Sequence, residues 1–193
     1  AENDVMPLAD RNFAVTSLRQ ATVYGLSNRM RFDLAVNAMV LSIHNEGRIP
    51  VMRDGTQWRP FVHVKDAALA FLKVLEAESE DVNGHVFNVG SDDQNYQIGT
   101  LAEEIGRSIG VPYEVVLYGD PDKRSYRVSF DKIDRILGFR PRYSPREGAK
   151  EINRALAEGE VEESMSSHTL KWYIHLLRHE EEFQHLTVGG RLL

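Results

Sequence analysis

The stretch Asp54-Gly-Thr-Gln-Trp-Arg-Pro-Phe-Val-His-Val-Lys-Asp-Ala-Ala68 is the most informative part of this chain. It joins an Asp-Gly turn, an arginine at the mouth of an extended run, and an acidic residue where a helix is expected to begin. Aspartate caps helices well, so Asp66 and the apolar positions that follow it predict a helix packed on a sheet. This order of turn, arginine, strand and helix predicts one half of a site that holds phosphate groups.

Composition limits what kind of protein this is. The chain has 193 residues, of which 42% are apolar and 27% charged, enough to bury a core as one compact domain or a domain plus a docked tail. A net charge of -6 argues against a nucleic-acid partner. The absence of cysteine excludes disulfides and thiolate metal sites and suits the cytoplasm. No apolar run approaches the roughly 18 residues that span a bilayer, and the first residues lack the order of a signal peptide, so no membrane association is expected.

Short apolar strands alternate with amphipathic helices along the sequence. Residues 13–24 and 85–90 are rich in β-branched and apolar residues and close at glycine, which predicts buried strands. The other predicted elements are helices over 32–45, 66–75, 100–109, 130–137 and 145–158, a hairpin-like pair over 49–52 and 58–64, and a strand over 113–118. This alternation predicts an α/β fold.

The C-terminal part is predicted to be separate from the rest. Residues 1–156 form the main domain, 157–167 a polar linker, and 168–193 a helix with a short tail. That helix is expected to turn its apolar side chains inward, namely Leu170, Tyr173, Leu176, Leu177 and Phe183.

Three groups of basic residues lie next to loops at predicted strand ends. They are Arg59, then Arg29 with Arg31, and finally Lys123, Arg124 and Arg127. Open α/β sheets bind ligands beyond the carboxyl ends of their strands, so the three groups together favour a diphosphate crevice. By itself, Arg59 either holds phosphate oxygens bidentately or pairs with a carboxylate on the surface, and its spacing leaves both open.

Other polar residues also have two interpretations. Asn37 lies among the apolar residues of its helix, where its amide either binds a phosphate or sugar group or caps neighbouring backbone. Asp122, in the loop Gly119-Asp-Pro-Asp, either accepts hydrogen bonds from ribose hydroxyls or simply forms a turn. His175, His179 and Glu182 share a helical face but lack the His-Glu-x-x-His order, so no metal site is predicted.

A run of motifs across residues 13–155 resembles the extended short-chain dehydrogenases/reductases, the NAD-dependent nucleotide-sugar epimerases and dehydratases. The matching segments are Leu18-Arg-Gln-Ala-Thr-Val-Tyr-Gly25, Arg29-Met-Arg-Phe-Asp-Leu-Ala-Val-Asn37, Asp54 to Asp66, Phe87-Asn-Val-Gly90, Asn95-Tyr96, Arg124 to Lys132 and Leu137-Gly-Phe-Arg-Pro141. The resemblance implies the C-terminal part of a Rossmann-type protein, with the last sheet strands and a small α/β substrate-binding domain.

The resemblance also implies roles for individual residues. Arg59 would grip the nucleotide diphosphate, Asn37 would help to hold it, Asp122 or Arg124 would contact ribose or phosphate, and Ala21 and Thr22 would lie beside the nicotinamide of NAD. Thr22 stands where the family usually has asparagine, and Gly119 stands near a position where many members have arginine.

The catalytic features of that family do not occur in this sequence. It has no glycine-rich dinucleotide loop, and none of its seven tyrosines is followed by lysine four positions later. In the family, that tyrosine acts as acid or base towards the sugar hydroxyl, and the lysine lowers the tyrosine pKa and binds the cofactor ribose. We therefore predict no catalytic residue here, and nucleotide-sugar binding without catalysis by this chain alone. The alternative is a non-catalytic binding or assembly protein that pairs with itself or with a chain supplying the missing half.

Overall fold

The computed structural model describes residues 1–119, 124–185, 187–188 and 191–192, with side chains as far as residue 180. The helices are α1 (Glu2–Val5), α2 (Ala35–Glu46), α3 (Val64–Glu76), α4 (Ser79–Val82), α5 (Ile98–Ile109), α6 (Asp131–Leu137), α7 (Pro145–Ala157) and α8 (Thr169–His185). The strands are β1 (Thr16–Gln20), β2 (Thr22–Tyr24), β3 (Arg48–Met52), β4 (Trp58–His63), β5 (His85–Val89), β6 (Asn95–Gln97), β7 (Glu114–Tyr118), β8 (Thr187–Val188) and β9 (Arg191–Leu192).

The first extended segment changes its partner at Ala21. β1 pairs in parallel with β5, from Thr16 opposite His85 to Gln20 opposite Val89. β2, which begins one residue later, pairs in parallel with β4 instead. The Ala21 N–H still donates to the Val89 carbonyl oxygen at 3.0 Å, so the exchange occurs within a single residue. It opens a crevice at the carboxyl end of β1, where open α/β sheets bind ligands.

Helices connect the parallel strands. α2 links β2 to β3, α3 with α4 links β4 to β5, and α5 links β6 to β7. Three parallel pairs result, namely β1 with β5, β2 with β4, and β3 with β7. The predicted α/β class is confirmed.

The predicted hairpin over 49–52 and 58–64 is wrong. β3 pairs in parallel with β7, whereas β4 pairs with β2 and, in antiparallel register, with β6. The Asp54-Gly55 turn exists, with Gly55 at a φ of 68°. However, the Gly55 carbonyl oxygen accepts a hydrogen bond from the Gly99 N–H of α5 at 2.8 Å. The turn is thus pinned to a helix and passes the chain from one sheet to another.

The start of α3 also differs from the prediction. Its N-cap is His63, whose ring accepts a hydrogen bond from the Lys65 N–H, and not Asp66. Asp66 is buried in the first turn, where its carboxylate accepts hydrogen bonds from the N–H groups of Arg142 and Tyr143 at 2.9 and 3.0 Å. The residue that was expected to start the helix instead ties a distant loop to it.

Two apolar cores flank the strands. One lies among α2, α5, α7 and the strands β3 and β4, and includes Val36, Ile49, Leu101 and Ile152. The other lies among α3, α6 and the strands β1 and β5, and includes Ala70, Phe87, Ile133 and Phe139. Full burial of such side chains stabilises the fold by about 1.5–3 kcal/mol each for the larger residues.

The apolar face of α8 is exposed, contrary to the sequence prediction. Leu170 is 72% exposed, and Tyr173, Leu176 and Leu177 also lie open to solvent. Phe183 falls outside the described side chains. α8 packs mainly on the short 3-10 turn at Met165–Ser167. Helical spacing therefore identified the apolar face, but it could not show that no part of the described chain covers it.

Candidate functional site

A cleft of about 370 Å³ lies between β4, α2 and the β3–β7 pair. Thr22, the first residue of β2, lines the cleft, whose volume falls in the size range of small-molecule sites. Most of its lining is apolar, with a few polar groups that converge on it. The lining residues are Thr22, Asp33, Leu34, Ala35, Ala38, Met39, Pro50, Met52, Gln57, Arg59, Phe61, Ile98, Tyr118 and Arg124.

Arg59, on β4, lines this cleft and is held by residues from a distant part of the sequence. Its Nη1 donates hydrogen bonds to the Trp58 carbonyl oxygen, at 2.7 Å, and to the Arg124 carbonyl oxygen. The guanidinium carbon lies 5.1 Å from the centroid of the Tyr126 ring, within range of a cation–π contact. The structure thus places a fixed cationic group in the cleft.

Arg124 reaches the same cleft from the segment that follows β7. It is one of the lining residues, and its carbonyl oxygen accepts a hydrogen bond from Arg59. Asp122, the other predicted ribose or phosphate ligand, lies outside the described residues. The structure therefore brings Arg59 and Arg124 together, and the ligand roles of all three residues stay predictions.

Ala21 and Thr22 occupy the point where the strand changes partner. Ala21 is buried in the core around Phe87, and its N–H is taken by the Val89 carbonyl oxygen. Thr22 lines the cleft. The sequence contains no Gly-x-Gly-x-x-Gly run. Contact of this pair with the nicotinamide stays a prediction.

Asn37 is engaged by backbone. Its side chain is buried, with the residue 3% exposed, and its Oδ1 accepts a hydrogen bond from the Gly25 N–H at 3.2 Å. Its Nδ2 donates to the Arg31 carbonyl oxygen at 3.1 Å. Asn37 does not belong to the cleft lining. The geometry favours the capping interpretation, in which the amide fixes the loop over 25–31 against α2.

The Arg29–Arg31 group does not reach the cleft. Arg29 donates to the Ser166 carbonyl oxygen at 3.2 Å, and Arg31 forms an ion pair with Asp33 at 2.8 Å. The hydrogen bond from Arg31 lowers the pKa of Asp33, which itself lines the cleft. The spacing of these arginines in the sequence could not show which neighbouring groups would form hydrogen bonds or ion pairs with them.

A polar cluster around the buried His63 had no sequence signal. The Nδ1 of His63 accepts from the Lys65 N–H, so Nε2 carries the proton and donates to Glu151 at 3.1 Å. Lys65 pairs with the other oxygen of the same carboxylate at 2.5 Å. Burial lowers the pKa of His63 despite the nearby carboxylate, so the ring is neutral at pH 7. The cluster joins α7 to the start of α3, and Glu151 is too far along the sequence for spacing to reveal it.

Two negative findings apply to the described residues. No group of three or more histidine, cysteine, aspartate or glutamate side chains there could hold a metal ion. None of the helices in that part of the chain is both long and apolar enough to cross a membrane.

Residues 5–90 match the model of the NAD dependent epimerase/dehydratase family. A curated relative from Bacillus cytotoxicus, a UDP-N-acetyl-alpha-D-glucosaminuronate decarboxylase, is 30% identical over 108 residues, which are 52% of this chain and 33% of that protein. A second curated relative, from Methanocaldococcus jannaschii, is 27% identical over 137 residues, 70% of this chain and 43% of the relative. The chain thus spans well under half the length of these relatives.

Solved structures show the same fold. The UDP-glucuronic acid 4-epimerase from Bacillus cereus, in complex with UDP-glucuronic acid and NAD, superposes with a TM-score of 0.65 at 20% identity, over 76% of this chain and 46% of that one. The dTDP-glucose 4,6-dehydratase from Bacillus anthracis, in complex with NAD, gives a TM-score of 0.61 at 22% identity, over 74% and 44% of the two chains. At this identity the likeness concerns architecture alone. Taken with the match of residues 5–90 to the family model and the strand order around Ala21, it shows a Rossmann-type α/β fold and a resemblance to the NAD-dependent epimerase/dehydratase family.

Proposed function

We propose that this chain is the substrate-binding portion of an NAD-dependent nucleotide-sugar epimerase or dehydratase, and that it binds a nucleotide diphosphate sugar in the cleft around Arg59. The observation that carries the proposal is the fixed guanidinium of Arg59 in a cleft that is also lined by Thr22, two residues after β1 ends. The curated relative from Bacillus cytotoxicus is named for a UDP-sugar, and the Bacillus cereus neighbour holds UDP-glucuronic acid.

The lining of the cleft suits the two ends of such a ligand. Arg59 and Arg124 supply positive charge for the diphosphate, and a guanidinium matches phosphate oxygens bidentately. Apolar side chains such as Leu34, Met39 and Phe61 line the rest and suit a flat base or a sugar ring. Asn37 contributes indirectly in this arrangement, because it fixes the loop beside α2.

Catalysis is not part of the proposed activity of this chain alone. Burial raises the pKa of Tyr24 well above its ordinary value, and its hydroxyl donates to the Tyr143 carbonyl oxygen at 3.0 Å, so it is a poor acid or base. Tyr118 lines the cleft, but Asp122 and not a lysine stands four positions later. We infer that hydride chemistry with NAD requires residues supplied in addition to those in this sequence.

A binding experiment tests the proposal. UDP-glucose, UDP-glucuronic acid and dTDP-glucose are titrated separately while thermal unfolding of the 193-residue chain is followed. A ligand at a hundred times its Kd raises the free energy of unfolding by about 2.7 kcal/mol. Arg59→Ala should raise that Kd about tenfold or more, because a hydrogen bond to a charged group is worth about 1.5–3 kcal/mol. Arg107→Ala, an exposed arginine of α5, is the matched control.

The proposal fails if none of the three compounds stabilises the chain at concentrations well above millimolar. If the Arg59→Ala variant and the unchanged chain bind the ligand with the same Kd, the ligand binds elsewhere than in this cleft.

A second candidate function is a binding or assembly protein on the same fold, and a specific surface favours it. Within the described part of the chain, β1 pairs only with β5, so its other edge has backbone groups ready for a further strand. Nearby α3 leaves Phe71, Leu72 and Leu75 exposed, with Leu75 at 79%. Both features suit association, either with a second copy or with a chain that supplies the NAD-binding half.

Light scattering tests this association. A mass above 22.0 kDa that depends on concentration, and that falls to 22.0 kDa in a Leu72→Glu, Leu75→Glu variant, is the expected result. A stable monomer at all concentrations would exclude self-association.

The proposed compartment and the proposed domain division both rest on the sequence. The cytoplasm is the proposed compartment because the chain contains no cysteine. The proposed division keeps 1–156 as the binding domain, 157–167 as the linker and 168–193 as the terminal helix and tail.

A further inference from the structure

The segment Arg124–Arg127 is attached to the start of β4 by backbone and side-chain contacts. Trp58 donates its N–H to the Ser125 hydroxyl oxygen at 3.0 Å. The Trp58 carbonyl oxygen in turn accepts from the Tyr126 N–H at 3.3 Å. β6 occupies one edge of β4 at this point, because Trp58 stands opposite Gln97. These contacts to Ser125 and Tyr126 therefore satisfy backbone groups that β6 does not.

Two reciprocal cation–π contacts join the same two segments. Arg59 of the strand lies over the ring of Tyr126, with 5.1 Å from the guanidinium carbon to the centroid. Arg127 lies over the ring of Trp58, at 4.7 Å. Successive side chains of a strand point to opposite faces, so the two cation–π contacts lie on opposite faces of β4.

Asn95 anchors the far end of this segment. It is buried, and its Oδ1 accepts from the Val128 N–H at 2.9 Å while its Nδ2 donates to the Val128 carbonyl oxygen at 3.0 Å. This two-point pairing fixes the chain two residues beyond Tyr126. The position of the Tyr126 ring is thus set by β6 as well as by β4.

We propose that Tyr126 is a positioning residue, whose ring holds the Arg59 guanidinium in the orientation that binds a nucleotide diphosphate. Nη1 of Arg59 donates to the Trp58 and Arg124 carbonyl oxygens, which hold the guanidinium at its edge. The ring of Tyr126 covers one face of the planar group and adds a restraint on its rotation. Tyr126 does not belong to the cleft lining, so its effect on a ligand passes through Arg59. This inference rests on the proposed function.

Binding of UDP tests the role of the ring. In isothermal titration calorimetry, Tyr126→Leu should raise the Kd for UDP about two- to fivefold, the range of an exposed cation–π contact. Tyr126→Phe keeps the ring and should bind as the unchanged chain does. In an Arg59→Ala background, Tyr126→Leu should have no further effect. Tyr173→Leu, an exposed tyrosine of α8, is the matched control.

A second readout does not depend on any ligand. In the ligand-free protein, the Nε–Hε NMR resonance of Arg59 should show a ring-current shift that is kept in Tyr126→Phe and lost in Tyr126→Leu. The Tyr126 ring is 50% exposed, so both variants are expected to fold. If Tyr126→Leu does not fold, Tyr126→Gln is used in its place.

The outcomes separate the two proposals. If UDP does not bind the unchanged chain, the Arg59 resonance alone decides the role of Tyr126, and the proposed function fails only if the three nucleotide sugars do not bind either. The positioning role is overturned if that resonance is the same in all variants. It is equally overturned if Tyr126→Leu binds UDP like the unchanged chain, or if Tyr126→Phe weakens binding as much as Tyr126→Leu.

Discussion

Replacement of Asn37 separates a structural role from a ligand role. In Asn37→Ala, the buried Gly25 N–H and the Arg31 carbonyl oxygen both lose their partner. An unsatisfied buried backbone group costs about 1–3 kcal/mol, and the Arg31 carbonyl oxygen lies nearer to water, so the free energy of unfolding should fall by about 2–3 kcal/mol in total. For a chain of this size, that corresponds to a loss of about 4–12 °C in Tm.

Urea unfolding measures this change, and a companion variant tests its cause. Asn37→Asp keeps an acceptor for the Gly25 N–H but buries a carboxylate beside the Arg31 carbonyl oxygen, so at neutral pH it should be destabilised at least as much as Asn37→Ala. Asn28→Ala, an exposed asparagine in the same loop, should unfold within about 0.5 kcal/mol of the unchanged chain. If Asn37→Ala keeps full stability but loses nucleotide-sugar binding, the capping interpretation is refuted and the amide is a ligand.

Three more predictions follow from buried groups. In an NMR titration, His63 should have a pKa below its ordinary value of 6.5, and a pKa above 6.5 would contradict this. Its neutral ring then contributes fully to the free energy of unfolding above pH 6.5. That contribution falls as the pH drops from 6.5 towards the lower pKa of the folded state. Gly148→Ala should lower the free energy of unfolding by about 1–3 kcal/mol, because the new Cβ would lie 2.7 Å from the Tyr24 ring. Gly99→Ala, whose Cβ would meet only ordinary contacts, should not lower it. Equal free energies of unfolding for the two variants would be evidence against the clash. Gln20→Met should raise the free energy of unfolding by about 1 kcal/mol, because the buried Gln20 amide has no hydrogen-bond partner among the described residues, and a lower stability would show that the amide finds one.

Local pattern predicted the elements better than their pairing. The strand over 85–89 and the helix over 145–157 were predicted nearly to the residue, because glycine, proline and apolar spacing act within a few positions. The hairpin over 49–52 and 58–64 was wrong for a different reason. Alternation with a period of two is the same for a hairpin strand and a parallel strand, and only contacts with β7 and β2 decide between them.

The candidate site shows the same division between local and distant information. Arg59 could be singled out from the turn and strand around it, but the Arg124 carbonyl oxygen and the Tyr126 ring that hold it are more than sixty positions away. Asn37 stayed ambiguous because both of its partners are backbone atoms, which every residue carries.

The cleft depends on how several distant parts of the fold are assembled. Arg59 contacts a segment whose own position is fixed by Asn95 at β6, so the proposed diphosphate site requires β4, β6 and residues 124–128 to be assembled together. Local unfolding that releases Val128 from Asn95 should therefore loosen Arg59 without touching it. Ordering a mobile guanidinium during binding lowers affinity, so the proposed binding of a diphosphate should weaken when residues 124–128 are held less firmly.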